Sequence, residues 1–337
     1  MARHPRGFWR LWGYSVGFYG VWVAHAGRRM GLFAELAKKP ASALELAKRS
    51  GLDGNAVGAW ASAAVALGFV DRESKSGLLR MSREMKEMLL DEKSPHYLGG
   101  QFSYIALRSL EYGGLDDLFR SGKTRDMART FEAIEQATDW DHNAFLSAIR
   151  KKGKRKGSSL HAMLSGGCRL LDVGCGTGTL IEKLSNLYPR SSFVGVEPSE
   201  EAARKAMAVA AAAAAADIKI VHMAGEGMEF DSEFDICYLG ESLYAAGDKK
   251  AVVANCYRAL KKGGAVAIVE GLLPAAGDRN LDLESRLIMG MQLDFALQGH
   301  CFMTKKEVES LLRVAGFARV SFSDLGGSLF LVIAWKR

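Results

Sequence analysis

At 337 residues the chain is long for one domain, and two is the natural expectation. An apolar fraction of 48% suits a protein that buries an ordinary core. The formal charge of +7 and an isoelectric point near 9.1 favour acidic partners, anionic surfaces or nucleic acid without selecting one. The five cysteines (Cys168, Cys175, Cys237, Cys256, Cys301) form no C-x-x-C pair. That argues against a disulfide frame or a zinc site and for reduced thiols in a cytoplasmic protein.

The first 31 residues, MARHPRGFWRLWGYSVGFYGVWVAHAGRRMG, have a basic start, an apolar middle and an AHA that mimics a cleavage site. Gly13, Tyr14, Ser15, Gly17 and Gly20 dilute the apolar part, which is too short to span a bilayer comfortably. It runs into GRRMGLFAELA, which reads as a continuation of the same helix. The segment is expected to be a buried aromatic helix at a dimer interface rather than a signal or membrane segment.

Residues 31–82 have a clear rhythm. KPASALELAKRSG carries a capping signal, Ser42 with Glu45 three residues on, and stops at Gly51. DGNAVGAWASAAVALGFV is a second helix capped by Asp53 or Asn55. FVDRESKSGLLRMS reads as two short strands around a Ser-Gly turn. Two helices and a two-stranded wing make a winged helix-turn-helix. A recognition helix needs Arg, Asn or Gln reaching from its exposed face. AVGAWASAAVALG has almost no polar reach, so a structural or dimerisation role is expected.

Residues 83–149 look helical, with SPHYLGGQFSYIAL and DWDHNAFLSAIR as apolar-aromatic segments that would wall a substrate cavity. RKKGKRKG at 150–157 reads as a solvated linker. The expected domains are 1–110, helical, winged and dimerising; 111–157, a helical connector with the basic linker; and 158–337.

From Ser158 strands and helices alternate. RLLDVG, SSFVGVEP, IKIVHMAG, FDICYLGES and AVAIVEG are strands separated by helices, which means a parallel sheet wrapped by helices. DKKAVVANCYRALKKGG reads as a helix ended by its paired glycines. FARVSFSDLGGSLFLVIAWKR is a hairpin that puts the last strand antiparallel to its neighbour. The alanine run at 208–216 is read simply as helix. The fold class is α/β, a Rossmann-like doubly wound sheet of seven strands with a reversed C-terminal hairpin, preceded by a mostly helical winged-helix domain.

LLDVGCGTGTL carries the chemistry. Gly174, Gly176 and Gly178 are spaced G-x-G-x-G, unlike the dinucleotide fingerprint G-x-G-x-x-G. Asp172 just before them would repel a pyrophosphate and attract an ammonium group. Glu197, at the end of the second strand, stands where a carboxylate grips both ribose hydroxyls. Glu226 follows the third strand in AGEG, near where an adenine would lie. A nucleoside bearing an amino acid in place of phosphates fits all three acids, and that is S-adenosylmethionine.

LLDVGCGTG, GVEPS, AGEG, FDICYLGESLY and YRALKKGGAVAIVEG resemble the successive motifs of class I S-adenosylmethionine-dependent methyltransferases. The winged N-terminal module resembles the small-molecule O-methyltransferase subgroup, whose members dimerise through that domain. The resemblance implies that Asp172, Gly174, Cys175, Gly176 and Gly178 cradle the methionine part. Glu197 would hold the ribose and Glu226 the adenine surroundings, Pro198 and Gly225 would also bind the cofactor, and Gly240 and Glu241 would line it.

Many members of that family place a proton-abstracting His after the fourth strand; here Tyr244 in SLYAAGD stands there. Methyl transfer from a sulfonium is a direct displacement, in which the protein supplies alignment and desolvation. A phenol, with pKa ~10, needs a base as well. Either another residue serves, with His300 in LQGHCFMT the best placed, or the acceptor is already an amine, an enolate or an electron-rich carbon. Tyrosine at this place also resembles the ring-carbon methyltransferases of tetrapyrrole synthesis. His222, inside the third strand, reads as core or edge, and His4, His25, His96, His142 and His161 have no metal-ligand spacing. Met289, Met291 and Phe295 on LESRLIMGMQLDFALQG suit an adaptable pocket for a large, flat or greasy acceptor as well as ordinary core.

A nucleic-acid methyltransferase is the second reading, drawn from the charge, the basic run and the wing. The segment after the fourth strand, GESLY, lacks the Asn/Asp-Pro-Pro-aromatic motif of base amino-methylases. A non-catalytic S-adenosylmethionine-binding protein is the third.

Overall fold

The computed structural model describes residues 4–94, 96–124, 131–152, 159–213, 217–275, 277–278 and 281–337. The basic run lies outside them from residue 153, and the alanine run from residue 214. The chain divides into two compact units, residues 1–116 with 126–143, and residues 117–125 with 144–337.

The first unit opens with α1 (Arg6–Arg29), α2 (Leu32–Lys38), α3 (Ala43–Ser50) and α4 (Gly54–Ala66). The expected continuous helix is interrupted: α1 ends at Arg29, and Gly31 in the left-handed region (φ 71°) restarts the chain as α2. Ser42 accepts the Glu45 amide while Glu45 accepts that of Ser42, a full capping box for α3. Asp53 caps α4 through the Ala56 amide at 2.8 Å. The strands β1 (Asp71–Arg72) and β2 (Leu79–Arg80) pair antiparallel, and Leu79 also bridges Ala41. α5 (Arg83–Leu90) and α6 (Gly99–Ser109) follow. Phe33, Leu36, Leu46, Trp60 and Leu79 form the core.

Within the single chain the first half of α1 is uncovered. Trp9, Leu11, Trp12, Tyr14, Phe18 and Tyr19 are each more than half exposed. Burial begins only around Gly20 and Ala24, where other helices lie against α1. There Trp60 donates to the Val23 carbonyl, and Gly27 is so close to Phe33 and Trp60 that a Cβ would overlap both. On α4, the buried side is Val57, Trp60, Ala61 and Ala64, and the outward residues are Gly54, Asn55, Ala56, Ala59, Ser62 and Ala66. That face offers one amide and no arginine to a DNA groove.

α7 (Leu115–Ser121), α8 (Phe131–Lys152) and α9 (Leu160–Gly166) lead to the sheet. Its strands are β3 (Arg169–Val173), β4 (Ser192–Glu197), β5 (Ile218–His222), β6 (Phe234–Gly240), β7 (Leu260–Leu273), β9 (Ala318–Gly326) and β10 (Leu329–Trp335), with the two-residue β8 (Met303–Thr304) pairing the end of β7. The helices between them are α10 (Thr179–Leu187), α11 (Glu200–Ala212), α12 (Lys249–Ala259), α13 (Leu283–Leu297) and α14 (Lys305–Val314). The seven strands lie in the order β5-β4-β3-β6-β7-β10-β9, parallel except for β10, which is antiparallel to both neighbours. This is the doubly wound sheet with a reversed terminal hairpin.

The paired glycines do not end α12. That helix stops at Ala259, and Leu260 already belongs to β7. Pairing with β6 then slips between Phe234↔Leu260 and Ile236↔Ala265, with Gly263 at φ 80°. The glycines make a bulge in a strand, which breaks the ladder locally and bends it.

Candidate active site

The strand order reverses between β3 and β6. Side chains at the carboxyl ends of strands converge on a crevice at such a switch point. Asp172, the turn at 174–178, Glu197, the 225–226 turn and the 240–244 segment all stand at those ends.

The turn is built by backbone bonds. The amides of Gly174 and Cys175 both donate to the Val196 carbonyl, at 2.8 and 3.1 Å, which ties the turn to β4. Gly174, Gly176 and Gly178 all have positive φ, 78°, 55° and 82°. Gly174 lies against Ser242, whose hydroxyl donates to the Val173 carbonyl at 2.8 Å. Gly176 differs from the other two: a Cβ there would meet no protein atom within 4 Å. The turn thus presents an open backbone face, and Gly178 starts α10 beyond it.

Two buried acids flank this face. Asp172 is only 3% exposed. Burial, and then the negative charge of Glu197, push its carboxyl up to about 8. Glu197 accepts the Gly176 amide at 2.9 Å through Oε2 and the Ser199 amide at 2.8 Å through Oε1. Burial raises its pKa, and those amides with His222 partly hold it down. An acid raised by burial beside another acid is stabilised in its ionised form by a nearby cation. The residues therefore fit a ligand that is cationic near Asp172 and has hydroxyls near Glu197. Pro198 is exposed, and its carbonyl meets His222, which is exposed at the end of edge strand β5.

Gly225 is packed against Val173 and Val252, and Glu226 Oε1 accepts the Asp248 amide. Asn255 donates to the carbonyls of both Gly225 and Glu226, fixing that turn to α12. A Cβ at Gly240 would overlap the Tyr238 ring. Glu241 is non-glycine at φ 46°, a strained conformation held by its amide donating to Val269 at 2.7 Å.

Two residues beyond Ser242, Tyr244 enters an aromatic cluster with Ile288, Phe295 and Phe302, and Met291 packs against it. The Tyr244 ring lies 4.6 Å from Phe295, 5.8 Å from Phe302 and 5.9 Å from His300. LQGH forms the end of α13. Gly299 is left-handed (φ 80°), its amide donates to Ala296, and the His300 amide donates to Phe295. This Schellman motif turns His300 back toward Tyr244. Burial, then the charge of Lys249, lowers the His300 pKa, which favours the neutral, proton-accepting imidazole. The structure brings Tyr244, His300, Phe295 and Met291 together. Met289 stands apart, exposed on the opposite side of α13.

Four contributors escape the sequence reading: Ser242, Lys249, Asn255 and Glu270. Glu270 carries the signal that marked Glu197, an acid closing an apolar strand (AIVEG beside FVGVEP). The other three act through backbone carbonyls or through a neighbour's charge and leave no pattern in the sequence.

Residues 170–264 match the family model described as a methyltransferase domain. A eugenol O-methyltransferase of Sorghum bicolor is 31% identical over 44% of this chain and 38% of its own length. The chain thus spans about two-fifths of that relative. A 3-hydroxy-5-methyl-1-naphthoate 3-O-methyltransferase of Streptomyces sahachiroi is 27% identical over 91% of this chain and 88% of its own. Human N-acetylserotonin methyltransferase, solved in complex with S-adenosylmethionine, shares the fold with a TM-score of 0.71 at 20% identity, covering 100% and 99% of the two chains.

Proposed function

We propose that the protein, whose residues 170–264 match a methyltransferase domain, uses S-adenosylmethionine to transfer a methyl group to a small aromatic or otherwise apolar molecule. The observation that carries this reading is adjacency. Ser242 is anchored on the strand that ends in the Asp172 turn, and Tyr244, two residues on, lies in the aromatic cluster. S-adenosylmethionine supplies a methyl group on a cationic sulfonium.

The chain's own residues account for the rest. Asp172 would pair with the ammonium, Glu197 would take the ribose hydroxyls, and the open face at Gly176 would admit the backbone-side approach. Gly225, Glu226, Gly240 and Glu241 would border the adenosine. Tyr244, Phe295 and Phe302 would hold a flat acceptor, exclude water and fix its line of approach. Where the acceptor atom carries a proton, His300 is placed to take it.

The naphthoate enzyme resembles this chain over nearly its full length, which supports an aromatic acceptor. We further propose that two copies pair through α1, whose exposed Trp9, Trp12, Tyr14, Phe18 and Tyr19 make an apolar surface unusual for a free monomer. Among the described residues no helix is long and apolar enough to cross a membrane.

The test is incubation of the purified chain with methyl-labelled S-adenosylmethionine and a panel of phenols, aromatic amines and electron-rich ring carbons. Label on one acceptor class, with matching S-adenosylhomocysteine, supports the reading. Label found only on nucleic acid overturns it.

A further inference from the structure

Glu270 lies near the carboxyl end of β7, which runs on to Leu273, at 0% exposure, a carboxylic acid with no contact with solvent. Its Oε1 accepts the amides of Leu243 at 2.7 Å and Tyr244 at 3.3 Å. Its Oε2 is buried without a hydrogen-bond partner among the described residues. Glu241 answers from the other side, its Oε1 accepting the amide of Gly271 at 2.6 Å. Each acid therefore holds the chain beside the other, and between them they clamp the segment that carries Tyr244.

Among the described residues no cation neutralises the pair. No cation of α12 (Lys249, Lys250, Arg258) or α13 (Arg286) acts on either carboxylate, β10 carries no charged residue, and of the neighbouring acids only Glu241 acts on Glu270. Two carboxylates cannot both ionise at close range in a buried site. Burial raises both, Glu241 to about 7 and Glu270 well above the ordinary carboxylate range.

We propose that Glu241 and Glu270 hold one proton between them at neutral pH, and that this singly protonated pair is the clamp that positions Tyr244 at the acceptor end of the site. Both are positioning residues. Loss of the proton would set two like charges against each other. Each is fastened to backbone beside its partner, so the repulsion would fall on the 241–244 segment, already strained at Glu241. Tyr244 would then leave its place against Phe295. The importance of that movement for catalysis rests on the acceptor site proposed above; the proton itself does not.

Two measurements on the full chain test this, and neither uses an acceptor. The first is infrared difference spectroscopy at about pH 8, in an Asp172→Asn background so that Asp172 adds no acid signal. The protonated-carboxyl band, with its deuterium shift, should be present and should disappear in Glu270→Gln. The second is fluorine NMR of 4-fluorophenylalanine at Phe295, assigned through Phe295→Leu. The signal should move as the pH rises past about 8, and Glu270→Gln should reduce that movement at least about threefold. Absence of the band before the Glu270 substitution overturns the shared proton. A Phe295 titration unchanged in Glu270→Gln overturns the clamp. If instead no methyl transfer is found on any acceptor, the functional reading fails while both signals persist.

Discussion

Asp172 and Glu197 end adjacent parallel strands, and the charge of Glu197 adds to burial in keeping Asp172 protonated up to about 8. Two buried acids side by side favour a cationic partner. Binding a cationic cofactor should therefore ionise Asp172. Calorimetry at about pH 7, in buffers of different ionisation enthalpy, should find close to one proton released per S-adenosylmethionine bound. Asp172→Asn should release none and should bind about a hundredfold more weakly. The sign for stability follows. An acid raised in the fold contributes fully below its unfolded pKa near 4, and that contribution is lost as the pH rises through about 8. The melting temperature of the cofactor-free protein should fall across that window, less steeply in Asp172→Asn. An unchanged proton count in the variant would remove Asp172 from the cofactor site.

Tyr244 contributes a ring and a hydroxyl, and the two can be separated. Tyr244→Phe keeps the contacts with Phe295, Phe302 and His300. It should lower kcat about tenfold while the cofactor Kd moves less than about twofold. Tyr244→Ala empties the centre of the cluster and should also cost about 3–5 kcal/mol of stability. Steady-state kinetics with parallel binding and melting curves separate these effects. A Tyr244→Phe variant that loses cofactor affinity but keeps kcat would place the hydroxyl away from the reacting end.

Much of this site is legible in sequence because it sits at strand ends. A strand with a carboxylate or glycine at its carboxyl end, as in LLDVG or FVGVEP, gives its position and its chemistry together. What escapes depends on distance. Gly263 and Gly264 read as a helix stop, and only the pairing of β7 with β6 reveals a bulge. The exposure of α1 is equally hidden, because an apolar helix reads as core until one sees that none of the described residues covers Trp9 to Tyr19. Met289 and Met291 look equivalent at a spacing of two, yet on a helix that spacing turns them to different sides. Lys249 reaches His300 by charge alone.

That last relationship has a measurable consequence. His300 titrates below its ordinary 6.5 because it is buried and because Lys249 disfavours the imidazolium. With an acceptor that must lose a proton, the acidic limb of kcat/KM should lie below about pH 6.5. Lys249→Met removes the opposing charge and should move the limb to higher pH, whereas Lys249→Arg should leave it in place. His300→Ala should abolish it. A limb that ignores both Lys249→Met and His300→Ala would belong to another base.

The glycine turn separates space needed by the protein from space left for a ligand. Gly195 lies beneath the turn, where a Cβ would sit 2.6 Å from Cys175 Sγ and 2.9 Å from the Cδ1 atoms of Ile181 and Ile220. Gly195→Ala should therefore overpack the floor and cost about 1–3 kcal/mol, lowering the melting temperature and, through the displaced turn, cofactor affinity. Gly176 is the opposite case. Its Cβ position is free of protein atoms, and the main penalty of Gly176→Ala is the positive φ of 55°, about 1 kcal/mol. If the open face receives the cofactor, Gly176→Ala should weaken binding well beyond tenfold, while its melting curve stays closer to the parent's than that of Gly195→Ala. Calorimetry and thermal melts on the two variants decide the matter. Full cofactor affinity in Gly176→Ala would mean that the ligand approaches from elsewhere.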